Sequence, residues 1–113
     1  KTKTGMVLGT PSYMSPEQLS GKKVDGRSDL FSLAVMLYQM ASGTLPFKGD
    51  SMATLMFQIA NEPHPNILEL NADLPEALKS IVDKGLSKSA DERYQTGEEM
   101  ANALRNFKAS MAG

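Results

Sequence analysis

The sequence predicts an all-α chain, and three observations predict it. Three stretches repeat apolar residues at helical spacing and a fourth is apolar on every face. Residues that cap helices stand at the ends of these stretches. No segment shows the strict alternation of a half-buried strand, and there is no internal repeat or low-complexity tract. With 113 residues the chain is long enough for one domain and too short for two.

The elements follow in order. Residues 1–14 hold three Thr, two Gly and one Pro with no helical period, and read as a loop. Ser15-Pro16-Glu17-Gln18-Leu19 reads as one short helical turn. Ser15 is its cap, Pro16 takes the first helical position and Glu17 lies in the first turn. Ser20 to Arg27 contains two Gly and reads as a second loop. Ser28 is the expected cap of a long helix closed by Gly43, with Asp29 where the helix dipole favours a carboxylate. Leu30, Phe31, Leu33, Ala34, Val35, Met36, Leu37, Tyr38, Met40 and Ala41 cover all its faces, the pattern of a helix buried all round. A chain this short has few other elements with which to surround it.

Leu45-Pro46-Phe47 and Gly49 break the chain, and Asp50 or Ser51 caps a helix to about Ala60. Its apolar stripe is Met52, Leu55, Met56 and Ile59. Asn61 to Leu74, with Pro63 and Pro65, reads as a long loop. Pro75 opens a helix to about Leu86 with Leu78, Ile81, Val82 and Leu86 on one face. Ser87 to Gln95 is a polar connection. Thr96 and Glu99 form a capping-box pattern ahead of a last helix with Met100, Ala103, Leu104 and Phe107 on one face. Residues 109–113 are expected to fray as a tail. The expectation is five helices of unequal length.

Composition narrows the function classes. Twelve basic and thirteen acidic residues give a net charge of −1, which disfavours binding to nucleic acid through bulk charge. No helix carries a basic face, so a helix-turn-helix DNA binder is disfavoured too. There is no cysteine, hence no disulfide framework, thiolate metal site or cysteine nucleophile. The one histidine, His64, lies in Pro63-His64-Pro65 and reads as an exposed loop residue. No signal peptide opens the sequence, and the longest apolar run, Leu30 to Ala41, is too short to span a bilayer. The pairs Glu98-Glu99 and Asp91-Glu92 fit helix starts or solvated surface. No phosphate-binding glycine loop or zinc-protease motif occurs, and no serine triad with a supporting motif. The chain therefore carries no self-contained catalytic site of a generic kind. It begins with Lys1 rather than Met, which suggests a part of something longer.

Four ordered motifs carry a more specific signal. Gly9-Thr10-Pro11-Ser12-Tyr13-Met14-Ser15-Pro16-Glu17 resembles the G-T-x-x-Y-x-A-P-E that ends the activation segment of protein serine/threonine kinases. Ser28 to Met40 resembles the central helix of that family's large lobe. Gly43-Thr44-Leu45-Pro46-Phe47 resembles the G-x-x-P-F that follows it, and Asp91-Glu92-Arg93-Tyr94-Gln95 the arginine motif before the last helix. Order and spacing agree over roughly residues 1–107, and the bacterial receptor-type group is the most similar.

The resemblance implies the C-terminal helical half of the kinase fold's large lobe. Residues 1–19 would be the activation segment and the loop that receives the substrate residue after the phosphoacceptor, 20–108 the lower-lobe helices and 109–113 a tail. Thr10 would support the catalytic loop and help select Ser or Thr acceptors, with Ser12, Tyr13, Met14 and Ser15 shaping the substrate pocket. Glu17 would pair with Arg93, a tether suited to bidentate geometry, and loss of one buried partner would cost about 3–5 kcal/mol. Asp29 would anchor the catalytic loop, Met36 and Met40 would support the adenine-side spine from buried positions, and Thr2 and Thr4 would be regulatory phosphorylation sites.

The glycine-rich loop, the strand lysine, the helix glutamate, the H-R-D loop and the D-F-G ligand have no counterpart in the sequence. ATP and Mg²⁺ are therefore expected as cofactors of a parent kinase and not of this chain, which is expected to be inactive alone. Ser15 for Ala, Phe31 for Trp or Tyr, Ala34 for Gly and Ala90 for Pro are modest departures from the family pattern. Expected partners are protein substrates with Ser or Thr acceptors and the rest of the kinase domain. Self-association through the incompletely packed central helix is also expected, and no nucleic acid. A cytoplasmic location follows from the resemblance, with any membrane anchor elsewhere in the parent. The alternative is a helical protein-interaction module or a pseudokinase remnant.

Overall fold

The structure, a computed structural model, describes residues 11–112, and every regular element among them is helical. A 3₁₀ turn at Pro11–Tyr13 leads into α1 (Pro16–Ser20). The long α2 (Gly26–Ser42) follows, then α3 (Met52–Asn61) and the single-turn α4 (Ile67–Leu70). After α5 (Glu76–Gly85), a second 3₁₀ turn at Ala90–Glu92 precedes α6 (Gly97–Ala112).

Local chemistry sets most boundaries. Ser15 and Gln18 form a reciprocal capping box on α1, with Pro16 in the first turn. Ser51 caps α3, its hydroxyl accepting from the Thr54 N–H at 3.1 Å. Gly43 ends α2 in the left-handed region, at φ 84°, where a side chain would be strained. Thr96 accepts from the Glu99 N–H at 3.0 Å, but Glu99 reaches back to the Gln95 N–H rather than to that of Thr96. α6 continues to Ala112, through the stretch expected as a tail.

Three local expectations differ from the structure. Asp25, not Ser28, caps α2, its carboxylate accepting from the Arg27 N–H at 2.9 Å. That frees Ser28 to lie fully buried inside the first turn. The stretch read as an unbroken loop contains α4, capped by Asn66 and too short to show a period. His64 is not an exposed loop residue. Its Nε2 lies 2.7 Å from Asp83 Oδ1, and its ring meets Tyr38 and Phe47 edge-on. Asp83 stands on α5, 19 residues along the chain, so no local pattern announces the contact.

α2 is the centre of the fold, packed by the first 3₁₀ turn, α4, α5 and α6. Leu30, Phe31, Ala34, Val35 and Tyr38 point into the core, where they meet Ile67, Ile81, Val82 and Met100. α2 and α5 approach closely at Gly85, where a Cβ would stand 2.6 Å from that of Ala34. α3 lies to one side against α1 and the first 3₁₀ turn.

The apolar pattern of α2 suits burial on every side, but only part of the helix is covered, in keeping with the incomplete packing expected of it. Asp29 is exposed, and Leu33, Met36 and Met40 are 45%, 46% and 77% exposed. These positions share one helical face. No described element crosses it, so its apolar side chains face solvent.

Candidate functional site

The most elaborated polar junction joins α1, α2 and the segment after α5. The Ser15 capping box fixes the start of α1 and so the direction of Glu17 in its first turn. Arg93 follows the second 3₁₀ turn in extended conformation, which carries its side chain inward. Its side chain is fully buried, whereas that of Glu17 keeps 12% of its exposure.

Arg93 has five N–H donors, and five acceptors meet them. Nη1 donates to Glu17 Oε2 at 2.6 Å and Nη2 to Glu17 Oε1 at 2.8 Å, a bidentate ion pair. Nη1 also donates to the Arg27 carbonyl at 3.1 Å, Nη2 to the Lys88 carbonyl at 3.2 Å and Nε to the Ser87 carbonyl at 2.8 Å. The buried Ser28 hydroxyl donates to Glu17 Oε2. Burial pushes the Glu17 carboxyl up, but the hydrogen bonds from Arg93 and Ser28 more than offset it and hold the group at about 2.

Apolar contacts brace the same junction. The Arg93 guanidinium lies 5.0 Å over the Phe31 ring, which stacks on Phe47 at 6.1 Å. On Phe47 sits the Lys88 ammonium, 4.0 Å from the ring centre. Lys88 also donates to the carbonyls of Gln58 and Ile59 at the end of α3. An aromatic pair is thus flanked by two cations from one short segment.

Arg27, which the sequence reading did not single out, ties the rim together. It pairs with Asp25 at 3.0 Å and Asp91 at 2.7 Å, and it donates to Gln95 Oε1 at 2.9 Å. Gln95 in turn donates to the carbonyls of Ala90, Asp91 and Arg93. The available signal was Asp25, two residues before Arg27 and as good a cap as Ser28.

The segment ahead of α1 is fixed to α2. Tyr13 donates through its hydroxyl to Gln39 Oε1 at 2.6 Å, and Ser32 donates to the Tyr13 carbonyl. Ser12, Tyr13 and Met14 are half-buried and Ser15 is buried. Thr2, Thr4 and Thr10 lie outside the described residues. The structure brings together Glu17 and Arg93, and it sets Asp29, Met36 and Met40 on the open face of α2. It does not bring Asp29 to either group.

Chemically the junction is a tether, because each donor and acceptor in it is occupied. Among the described residues no group of three or more His, Asp or Glu could hold a metal ion. No described helix is long and apolar enough to cross a membrane.

Comparison with known proteins places these features in context. The profile of the protein kinase domain family matches residues 1–105. The chain is 44% identical over 101 residues to the DNA damage-responsive serine/threonine-protein kinase RqkA of Deinococcus radiodurans, covering 89% of this chain and 15% of that protein. It is 40% identical over 107 residues to the serine/threonine-protein kinase PksC of Streptomyces coelicolor, covering 95% of this chain and 19% of that protein. It is also 41% identical over 107 residues to the tyrosine-protein kinase MasK of Myxococcus xanthus, covering 94% of this chain and 16% of that protein. The twitchin kinase region from C. elegans superposes with a TM-score of 0.75 at 24% identity, over 86% of this chain and 16% of that one. The chain thus spans less than a fifth of the length of each of these relatives.

Proposed function

Since the chain belongs to the protein kinase domain family, we propose that it is the activation-segment and helical-scaffold part of a protein kinase's large lobe. The parent kinase transfers the γ-phosphoryl group of ATP, with Mg²⁺, to Ser or Thr hydroxyls of proteins. The observation that carries this reading is the bidentate Glu17–Arg93 pair. It fastens α1, and with it the substrate-docking residues Ser12 to Ser15, to the helical base.

In this reading residues 1–19 form the activation segment and the loop that receives substrate, and the helices after residue 20 form the scaffold. Thr10 meets the catalytic loop of the parent and favours hydroxyl acceptors of the Ser/Thr type. Thr2 and Thr4 are its regulatory phosphorylation sites, where each phosphate adds about −1.5 to −2 of charge. The exposed face of α2 receives the remainder of the domain. Asp29 then accepts hydrogen bonds from the catalytic loop, while Met36 and Met40 back the adenine side. A reaction that consumes ATP suits a cytoplasmic location for the domain.

The chain alone supplies no ATP site and transfers no phosphoryl group. The test incubates purified chain with γ-labelled ATP, Mg²⁺ and a protein acceptor, alongside calorimetric titration with ATP. No label transfer and no binding heat are expected. Transfer or saturable ATP binding by the chain would overturn the scaffold reading. Reading the coding sequence upstream of Lys1 tests the parent's activity. An in-frame H-R-D-x-K-x-x-N loop and D-F-G support it, and degraded versions of both would exclude catalysis.

A further inference from the structure

A cavity of about 580 Å³ opens beside the Glu17–Arg93 junction, between α1, the loop before α2, the end of α3 and the second 3₁₀ turn. Four cations and three acids line it. Each acid is already committed: Glu17 to Arg93 and Ser28, and Asp25 and Asp91 to Arg27. The other three cations, Lys22, Lys23 and Lys88, form no ion pair with any described residue.

Lys88 is the most informative of them. It is partly buried, donates to two backbone carbonyls and lies over the Phe47 ring, and burial pushes its ammonium down to about 8. A cation held partly out of water is costly, the charge of nearby Glu62 offsets that only in part, and a bound anion offsets more of it. Ser89 stands on the same wall, and its hydroxyl makes no capping hydrogen bond.

We propose that this cavity binds a phosphomonoester carried on a protein segment. A phosphomonoester brings about −1.5 to −2 of charge and three acceptor oxygens, which matches the Lys22 and Lys23 ammonium groups, with the charge of Lys88 behind them, better than a carboxylate does. The volume lies within the roughly 300–1,000 Å³ usual for ligand pockets and far exceeds what free phosphate fills. Pro16, Ala60 and Ala90 add apolar wall for residues flanking the phosphorylated side chain. This inference goes beyond the proposed function. It needs no reacting group and holds or fails apart from kinase activity.

The test titrates the 113-residue chain with three probes: a phosphothreonine peptide flanked by Ala and Gly, its unphosphorylated twin, and inorganic phosphate. The phosphopeptide is expected to bind at least about tenfold tighter than either of the others. Lys22→Gln with Lys23→Gln is expected to weaken it by a similar factor while leaving the melting temperature unchanged. Equal binding of the twin, or full binding by the double variant, would overturn the proposal. So would equal affinity for inorganic phosphate, which would reduce the site to a free-anion contact.

Discussion

Glu17→Gln removes one charge from the most buried ion pair among the described residues while keeping the side chain's size. The native carboxyl is held at about 2, against an ordinary value of 4.5. Two and a half units at about 1.36 kcal/mol each set a ceiling near 3 kcal/mol. Solvent reaches the 12% of the side chain that stays exposed, and this screening brings the expected loss to about 2 kcal/mol at pH 7. For a chain of this length that is a fall of about 10 °C in melting temperature.

The pH dependence gives a sharper test. A carboxyl with a depressed folded-state pKa contributes stability above its unfolded value and loses it as pH falls through the folded one. The gap between native chain and variant should therefore be full above pH 4.5 and close as pH drops towards 2. Asp25 and Asp83 are also held low and lose their contributions in acid. They are common to both proteins and cancel in the difference. Urea unfolding followed by circular dichroism from pH 7 to pH 2 measures the gap. A gap below about 0.5 kcal/mol at pH 7, the size of an exposed pair, would refute the reasoning. So would a gap that does not change with pH.

Three further outcomes follow from neighbouring features. Arg93→Lys offers three donors to five acceptors, so the loss should reach about 3–5 kcal/mol by urea unfolding, and a loss below about 1 kcal/mol would contradict the five-donor account. Gly85→Ala should destabilise by about 1–3 kcal/mol despite a better helix propensity, because its methyl meets that of Ala34. Ala34→Gly in the same chain should restore part of the melting temperature, and no recovery would mean the strain lies elsewhere. Lys88 is held at about 8 against an ordinary 10.5, so the unfolded chain binds more protons between those values and stability should rise with pH there. Lys88→Met should flatten that rise in urea midpoints measured from pH 8 to 10, and identical slopes would remove Lys88 as its source.

The long helices were legible because three of them bury one stripe, and a stripe leaves a period in the sequence. Leu78, Ile81 and Val82 show it, and all three are buried on α5. The single turn at Ile67–Leu70 leaves no such trace. Glu17 and Arg93 stand 76 residues apart, so only the resemblance of their two motifs could suggest a pairing. Periodicity and spacing carry no information on contacts at that range. Arg27 and His64 were missed for the same reason, since Asp91 and Asp83 reach them through the fold. The exposure of Met36 and Met40 differs from expectation in the opposite sense. Hydrophobicity announces that a face prefers burial, not that this chain holds the element that buries it.

The open face of α2 also makes the chain a chemical recorder of its own assembly. Met40 and Met36 present thioethers to solvent, while Met100 is only 1% exposed. Peroxide converts accessible thioethers to sulfoxides, so the three methionines form a graded series with an internal reference. Whatever covers the face should slow oxidation at Met40 towards the rate at Met100. The reaction also writes back on the protein: one oxygen atom at Met40 turns part of an apolar strip polar. Oxidative damage to an uncovered chain would then leave a scar on the face proposed to receive the rest of the domain.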